Sequence, residues 1–307
     1  MPKDGSRRNL RRPTIGVFDS GVGGLTVLRA LLDRIPNADY LYFGDTARLP
    51  YGSKSAATVA HYATGASRFL QEHGAELLII ACNTATALAL DLIEAQSDVD
   101  VIGVVEPGAE AAAKASVNRQ VVVLGTEATI ASHAYRHALE AKNVTAREKA
   151  CPLFVPLVEE GWIDHPVTEQ VAKIYLAEAF TGDPGAKPRK KGSHDDRSTG
   201  RSTERSTDHS TNADVLLLGC THYPLIKPVL RRLAPAHIAI VDSAESTADQ
   251  VARQLQLDGE TLPGKSNRRV EPHLKFFATD SAEKFKKMGS RFLGLPVEDV
   301  EHVDLKE

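Results

Sequence analysis

The 307-residue sequence is short of cysteine. It has three, which cannot complete a disulfide framework, and none lies in a CxxC pair of the kind that points to zinc or a redox dithiol. A reducing, cytoplasmic setting without a metal is the expectation. Long apolar runs are missing too, since none approaches the roughly 20 residues that span a bilayer. Net charge is only −3, which gives no general attraction to nucleic acid or to a membrane surface. The segment Met1–Arg12 carries five Lys/Arg with no apolar region behind it. That excludes a secretory signal and predicts a disordered basic tail over 1–13. The dinucleotide fingerprint is also absent: G-x-G-x-x-G from Gly21 would need glycine where Thr26 stands.

What is present, 42% hydrophobic and 25% charged residues, is the composition of a globular protein of one large or two medium domains. Two stretches share one design. Ala75–Cys82 and Asp214–Cys220 are each an apolar run ending in cysteine, followed by a small polar pair (Asn83-Thr84, Thr221-His222) and a segment with helical character. A continuous apolar run of that length reads as a buried parallel strand, and the C-terminal ends of such strands carry the chemistry of open α/β sheets. The cysteines lie 138 residues apart, about one domain, so the simplest arrangement contributes one thiol from each of two similar domains.

The rest of the chain alternates in the same way. Strands are expected at 14–18, 38–43, 99–105, 120–124, 238–241 and 274–278. Helices are expected from Leu25 to Leu32, at 55–73, from Thr84 with that residue as cap, at 108–114, 128–142, 168–180, 225–233, 247–257 and 281–292. A glycine turn, Asp19-Ser20-Gly21-Val22-Gly23-Gly24, follows the first strand; it either lets a ligand approach the backbone, at a helix N-terminus that favours an anion, or is purely structural. Cys151, before Pro152 in an apolar setting, reads as a structural thiol. From Thr181 to Asp214 no large apolar residue occurs and Arg-Ser-Thr recurs, so this insertion is expected to be disordered. The fold class is α/β: two domains of mainly parallel sheet flanked by helices, with a cleft between them. The first domain is expected over 14–104 plus 223–307 and the second over 105–222, the C-terminal part returning to the first sheet.

A lone strand-end cysteine is usually a small buried hydrophobe. Two at matched positions, each followed by hydrogen-bonding residues, point to chemistry. Nucleophilic catalysis needs one thiol and a base and leaves the second unexplained. Inverting a carbon centre uses both: one group removes a proton from one face, the other delivers a proton to the opposite face, and the roles exchange in reverse. Asp19 and His222 stand where they can serve the thiols or a substrate ammonium. Asn83, Thr84, Thr221 and the glycine turn offer neutral donors suited to carboxylates.

Six motifs, in order, carry a resemblance: Asp19-Ser20-Gly21-x-Gly23-Gly24, Pro50-Tyr51-Gly52, Ala81-Cys82-Asn83-Thr84-Ala85-Thr86, Val105-Glu106-Pro107, Val155-Pro156-Leu157-x-Glu159-Glu160 and Gly219-Cys220-Thr221-His222-Tyr223-Pro224. Over roughly Thr14 to Leu295, apart from the insertion, the chain resembles the glutamate racemases. The resemblance implies cofactor-independent interconversion of L- and D-glutamate, the latter for peptidoglycan and hence for cell wall and cell shape. Its catalytic residues map onto Cys82 and Cys220, assisted by Asp19 and His222. Its substrate contacts map onto Asp19, Ser20, Pro50, Tyr51, Gly52, Asn83, Thr84, Thr221 and His222, with Glu159 or Glu160 as a further acid. A small molecule, glutamate, is the expected partner, and a homodimer is a compatible assembly. The alternatives are racemisation of another acidic amino acid such as aspartate, or a non-catalytic binding protein that uses the insertion as its surface.

Overall fold

The computed structural model describes residues 12–181, 211–255 and 271–305. In chain order the first half runs β1 (Thr14–Asp19), α1 (Leu25–Arg34), β2 (Asp39–Gly44), α2 (Ala56–Glu72), β3 (Leu77–Ile80), α3 (Asn83–Gln96), β4 (Asp100–Gly103) and α4 (Val105–Ala115). Then come β5 (Gln120–Gly125), α5 (Glu127–Ala131), α6 (Ala134–Glu140), β6 (Thr145–Ala150), α7 (Phe154–Glu159), α8 (Pro166–Thr181), β7 (Val215–Gly219), α9 (Lys227–Leu233), β8 (Ala239–Asp242), α10 (Ser243–Gln254), β9 (Leu274–Ala278), α11 (Ala282–Leu293) and β10 (Val300–His302).

These elements make two sheets. One is six-stranded in the order β10-β9-β2-β1-β3-β4, the other four-stranded in the order β6-β5-β7-β8, and every pairing is parallel. Parallel pairing follows from the crossover helices, and helices on both faces explain why β3 and β7 are apolar and buried along their whole length. Register matters for function. Phe18 pairs with Ile80 and Gly125 with Gly219, so the loops leaving β1 and β3 emerge along one edge and those leaving β5 and β7 along another.

Several expectations are corrected. Residues from 223 onward do not all rejoin the first sheet: β8 pairs with β7 in the second, and the return begins at β9. The helix expected over 128–142 is broken at His133, whose left-handed φ of 56° separates α5 from α6. The expected disorder over 181–214 fails at both ends. Thr181 closes α8, and Asp214 accepts hydrogen bonds from the Ser116 hydroxyl and the Val117 and Asn118 amides at 2.6, 2.7 and 2.8 Å. The rest of that stretch, 182–210, lies outside the described residues, as do 1–11 of the basic tail and 256–257 of the helix expected to reach Leu257. Arg12 and Pro13, expected in the tail, are ordered: the Pro13 carbonyl accepts from the Asp39 amide, and the Arg12 guanidinium donates to the Glu271 carbonyl.

Candidate active site

Both strand-end thiols line one cavity of about 340 Å³, a size suited to a small amino acid. Two larger surface cavities, of about 650 and 530 Å³, contain neither thiol. Cys82 is itself the N-cap of α3, its Sγ accepting from the Ala85 amide at 3.5 Å, which displaces Thr84 from the expected capping role. On its other side the Cys82 thiol donates to Ser20 Oγ at 3.6 Å. Cys220 is held differently. The segment after it is not directly an α-helix but a 3₁₀ turn, Tyr223–Ile226, that leads into α9. Its Sγ lies 3.9 Å from His222 Nδ1, and His222 Nε2 lies 3.1 Å from Glu159 Oε1.

The glycine turn explains how the two halves meet. A Cβ on Gly23 would collide with Thr221 Oγ1 and stand 2.5 Å from His222 Nδ1, so only glycine allows this close approach. The Thr26 hydroxyl then donates to the Thr221 carbonyl at 3.1 Å. The group the turn admits is therefore the second thiol's own loop. Across the cavity, the hydroxyls of Thr84, Thr126 and Thr129 form a closed triangle with edges of 2.9, 3.1 and 2.9 Å, joining α3 to the start of α5.

The two thiols differ in electrostatics as well. Burial pushes the Cys82 thiol up to about 12, and the neighbouring Asp19 charge adds to it, so this sulfur keeps its proton at neutral pH. Asp19 is fully buried and raised above the usual carboxylate range by desolvation, opposed by the His222 charge and by hydrogen bonds from the Gly24 and Gly21 amides and Thr221. For His222, burial disfavours the charged form, but hydrogen bonds and charge from Cys220 and Glu159 outweigh it. They lift the imidazole to about 10. His222 is thus a buried cation between a thiol and a carboxylate.

Most of the expected site residues converge. Ser20, Asn83, Thr84, Thr221 and His222 line the cavity with the two thiols, and Pro50, Tyr51 and Gly52 form its wall from the loop after β2. The Tyr51 hydroxyl itself points away, donating to Asp45 Oδ2 at 2.5 Å. Asp19 does not reach the wall; it touches a lining residue through the Thr221 hydroxyl and acts on Cys82 and His222 by its charge. Both acids of the pair line the cavity, and Glu159 is the one in contact with His222. Cys151 is fully buried and lies off the cavity, as a structural thiol should. Sequence reasoning missed Thr126 and Glu127, which also line the cavity. The available signal was Gly125-Thr126 itself, a third apolar strand ending in a polar residue before a helix.

Comparison with known proteins supplies the family. The family model described as Asp/Glu/Hydantoin racemase matches residues 24–251. The glutamate racemase of Koribacter versatilis is 55% identical, the alignment covering 96% of this chain and 98% of that protein. That of Chlorobaculum parvum is 42% identical over 95% of this chain and 96% of its own length. Among solved structures, glutamate racemase from Francisella tularensis in complex with D-glutamate superposes with a TM-score of 0.76 at 33% identity, over 96% of this chain and 98% of that one. The chain belongs to the Asp/Glu/Hydantoin racemase family, among its glutamate racemases.

Proposed function

We propose that this protein interconverts L- and D-glutamate by passing protons between the α-carbon and two thiols, Cys82 and Cys220, on opposite sides of the bound amino acid. The observation that carries the reading is that cysteines from two different sheets line one amino-acid-sized cavity. In one direction Cys220 takes the α-proton: the Cα–H bond breaks and an S–H bond forms. Cys82, held protonated by burial and by Asp19, delivers its own proton to the opposite face. The reverse direction exchanges the roles. His222 supports this because its positive charge, beside Cys220, offsets the negative charge that sulfur carries whenever it acts as the base, and Glu159 holds the ring in place.

The carboxylates need donors. The Asn83 side-chain nitrogen is buried without a partner and lies at the cavity. Thr84, Thr221, Ser20 and the backbone at the start of α3 complete a neutral, donor-rich surface suited to an anion. Pro50, Tyr51 and Gly52 close one wall. The chemistry needs only the two thiols and no cofactor. Supply of D-glutamate to peptidoglycan, a cytoplasmic location and homodimeric assembly belong to the same reading. So does a division into one domain around the six-stranded sheet and another around the four-stranded sheet.

The test is to incubate the pure protein with L-glutamate, without added cofactor, and follow optical rotation. Decay to zero as the racemic mixture forms is expected; constant rotation overturns the proposal. L-Aspartate in the same assay measures the rival substrate.

A further inference from the structure

Asn83 follows Cys82 directly, lines the cavity and is 2% exposed. Its amide is held at one end only. Oδ1 accepts a hydrogen bond of 2.5 Å from the hydroxyl of Tyr135, while Nδ2 has no partner. Tyr135 belongs to α6, on the side of the four-stranded sheet, and is fully buried. Its ring reaches Asn83 past β7 because residue 219 is glycine: a Cβ there would stand 2.8 Å from Tyr135 Cε2. Burial pushes the phenol far up, so at working pH the hydroxyl keeps the proton it donates.

A primary amide has an acceptor end and a donor end that exchange by a half-turn. A donor fixed on one side decides which end faces the other way. We propose that Tyr135 is a positioning residue: its hydroxyl locks the Asn83 amide so that Nδ2 is presented to a carboxylate of the bound amino acid. The setting is carried across the interface between the two sheets, so a residue that never touches substrate tunes the half of the site that holds Cys82. This rests on the reading of Asn83 as a substrate contact given above.

The test is a double-mutant cycle on the full chain, with L-glutamate as substrate and melting temperature as a folding control. Tyr135→Phe keeps the ring and removes only the hydroxyl. It is expected to raise KM by about tenfold with a smaller change in kcat. Asn83→Ala should raise KM at least as much, and the double variant should be no worse than Asn83→Ala alone, because Tyr135 acts through Asn83. An unchanged KM in Tyr135→Phe, or effects that multiply in the double variant, overturn the proposal. If Asn83→Ala alone leaves KM unchanged while the wild type racemises, the Asn83 contact falls and this inference with it, although the racemase reading stands. If the wild type does not turn over L-glutamate, the racemase reading itself falls and takes this inference with it.

Discussion

The surroundings of Cys82 and of Cys220 are built on the same plan and solved differently. Each thiol ends an apolar parallel strand and meets the same cavity. Cys82 caps a 14-residue helix, donates to Ser20 and sits near a buried carboxylate, Asp19. Cys220 lacks a full helix behind it and has instead a cationic imidazole backed by Glu159. The helix terminus and neighbouring acid on one side, and the His222–Glu159 pair on the other, are two ways to manage a proton on sulfur. A site for mirror-image substrates therefore need not be symmetric. It needs only a sulfur on each face and a route for each proton.

The largest expected effect tests whether both halves are required. Cys82→Ser and Cys220→Ser should each lower racemisation by about 10³-fold, in both directions, while far-UV circular dichroism stays unchanged. Because substrate and product are enantiomers with an equilibrium constant of one, neither variant can be crippled in kcat/KM for one direction alone. A variant with most of its activity left would break the comparison at its root.

The next effect separates the halves. Glu159→Gln should slow turnover by about tenfold and move the alkaline limb of the kcat profile below the value near 10 set by His222, since the imidazolium loses a partner that keeps it charged. Glu160→Gln, which does not contact His222, should leave that limb where it is. Equal shifts in the two variants would show that the pairing with Glu159 is not what sustains the cation.

The same group makes a prediction for stability. His222 has a folded-state value near 10 against an ordinary 6.5, so it binds its proton more tightly folded than unfolded. Its contribution is fully present below pH 6.5 and is lost as pH rises toward 10. Thermal melts of the wild type should fall by a few degrees more across that window than melts of Glu159→Gln. Parallel curves for the two proteins would count against a charged His222.

This comparison also indicates what was legible in the sequence. The strand ends were: apolar runs ending in Cys82 and Cys220 need no tertiary information, because burial on both faces leaves its mark in every residue. The asymmetry was not. Whether Cys220 opens a helix or a 3₁₀ turn, and which of Glu159 and Glu160 meets a histidine 60-odd residues away, depends on how α7 lies against the second sheet. The polar strand β6, Thr145–Ala150, was hidden for another reason. It is a sheet edge whose charges are paired with flanking helices, Glu148 with His133 and Arg136 at α6 and Lys149 with Glu178 on α8, so it shows neither alternation nor an apolar run. Tyr135 could not be found at all, since nothing local distinguishes a core tyrosine from one that orients an amide.

The smallest expected effect concerns the seam between the halves, the triangle of Thr84, Thr126 and Thr129. Thr126 lines the cavity and Thr129 stands behind it, fully buried. Thr129→Val keeps the shape and removes one vertex, so it should cost about 1 kcal/mol of stability, read from the urea midpoint at unchanged slope. Thr126→Val removes a vertex, a hydroxyl at the cavity wall and the N-cap of α5, which accepts from the Thr129 amide. It should cost more stability, by about a further 1 kcal/mol for the lost cap, and raise KM more than Thr129→Val does. If the two variants move KM equally, Thr126 acts only by joining α3 to α5, and the second sheet's contribution to the pocket shrinks to the Cys220 loop and its acid.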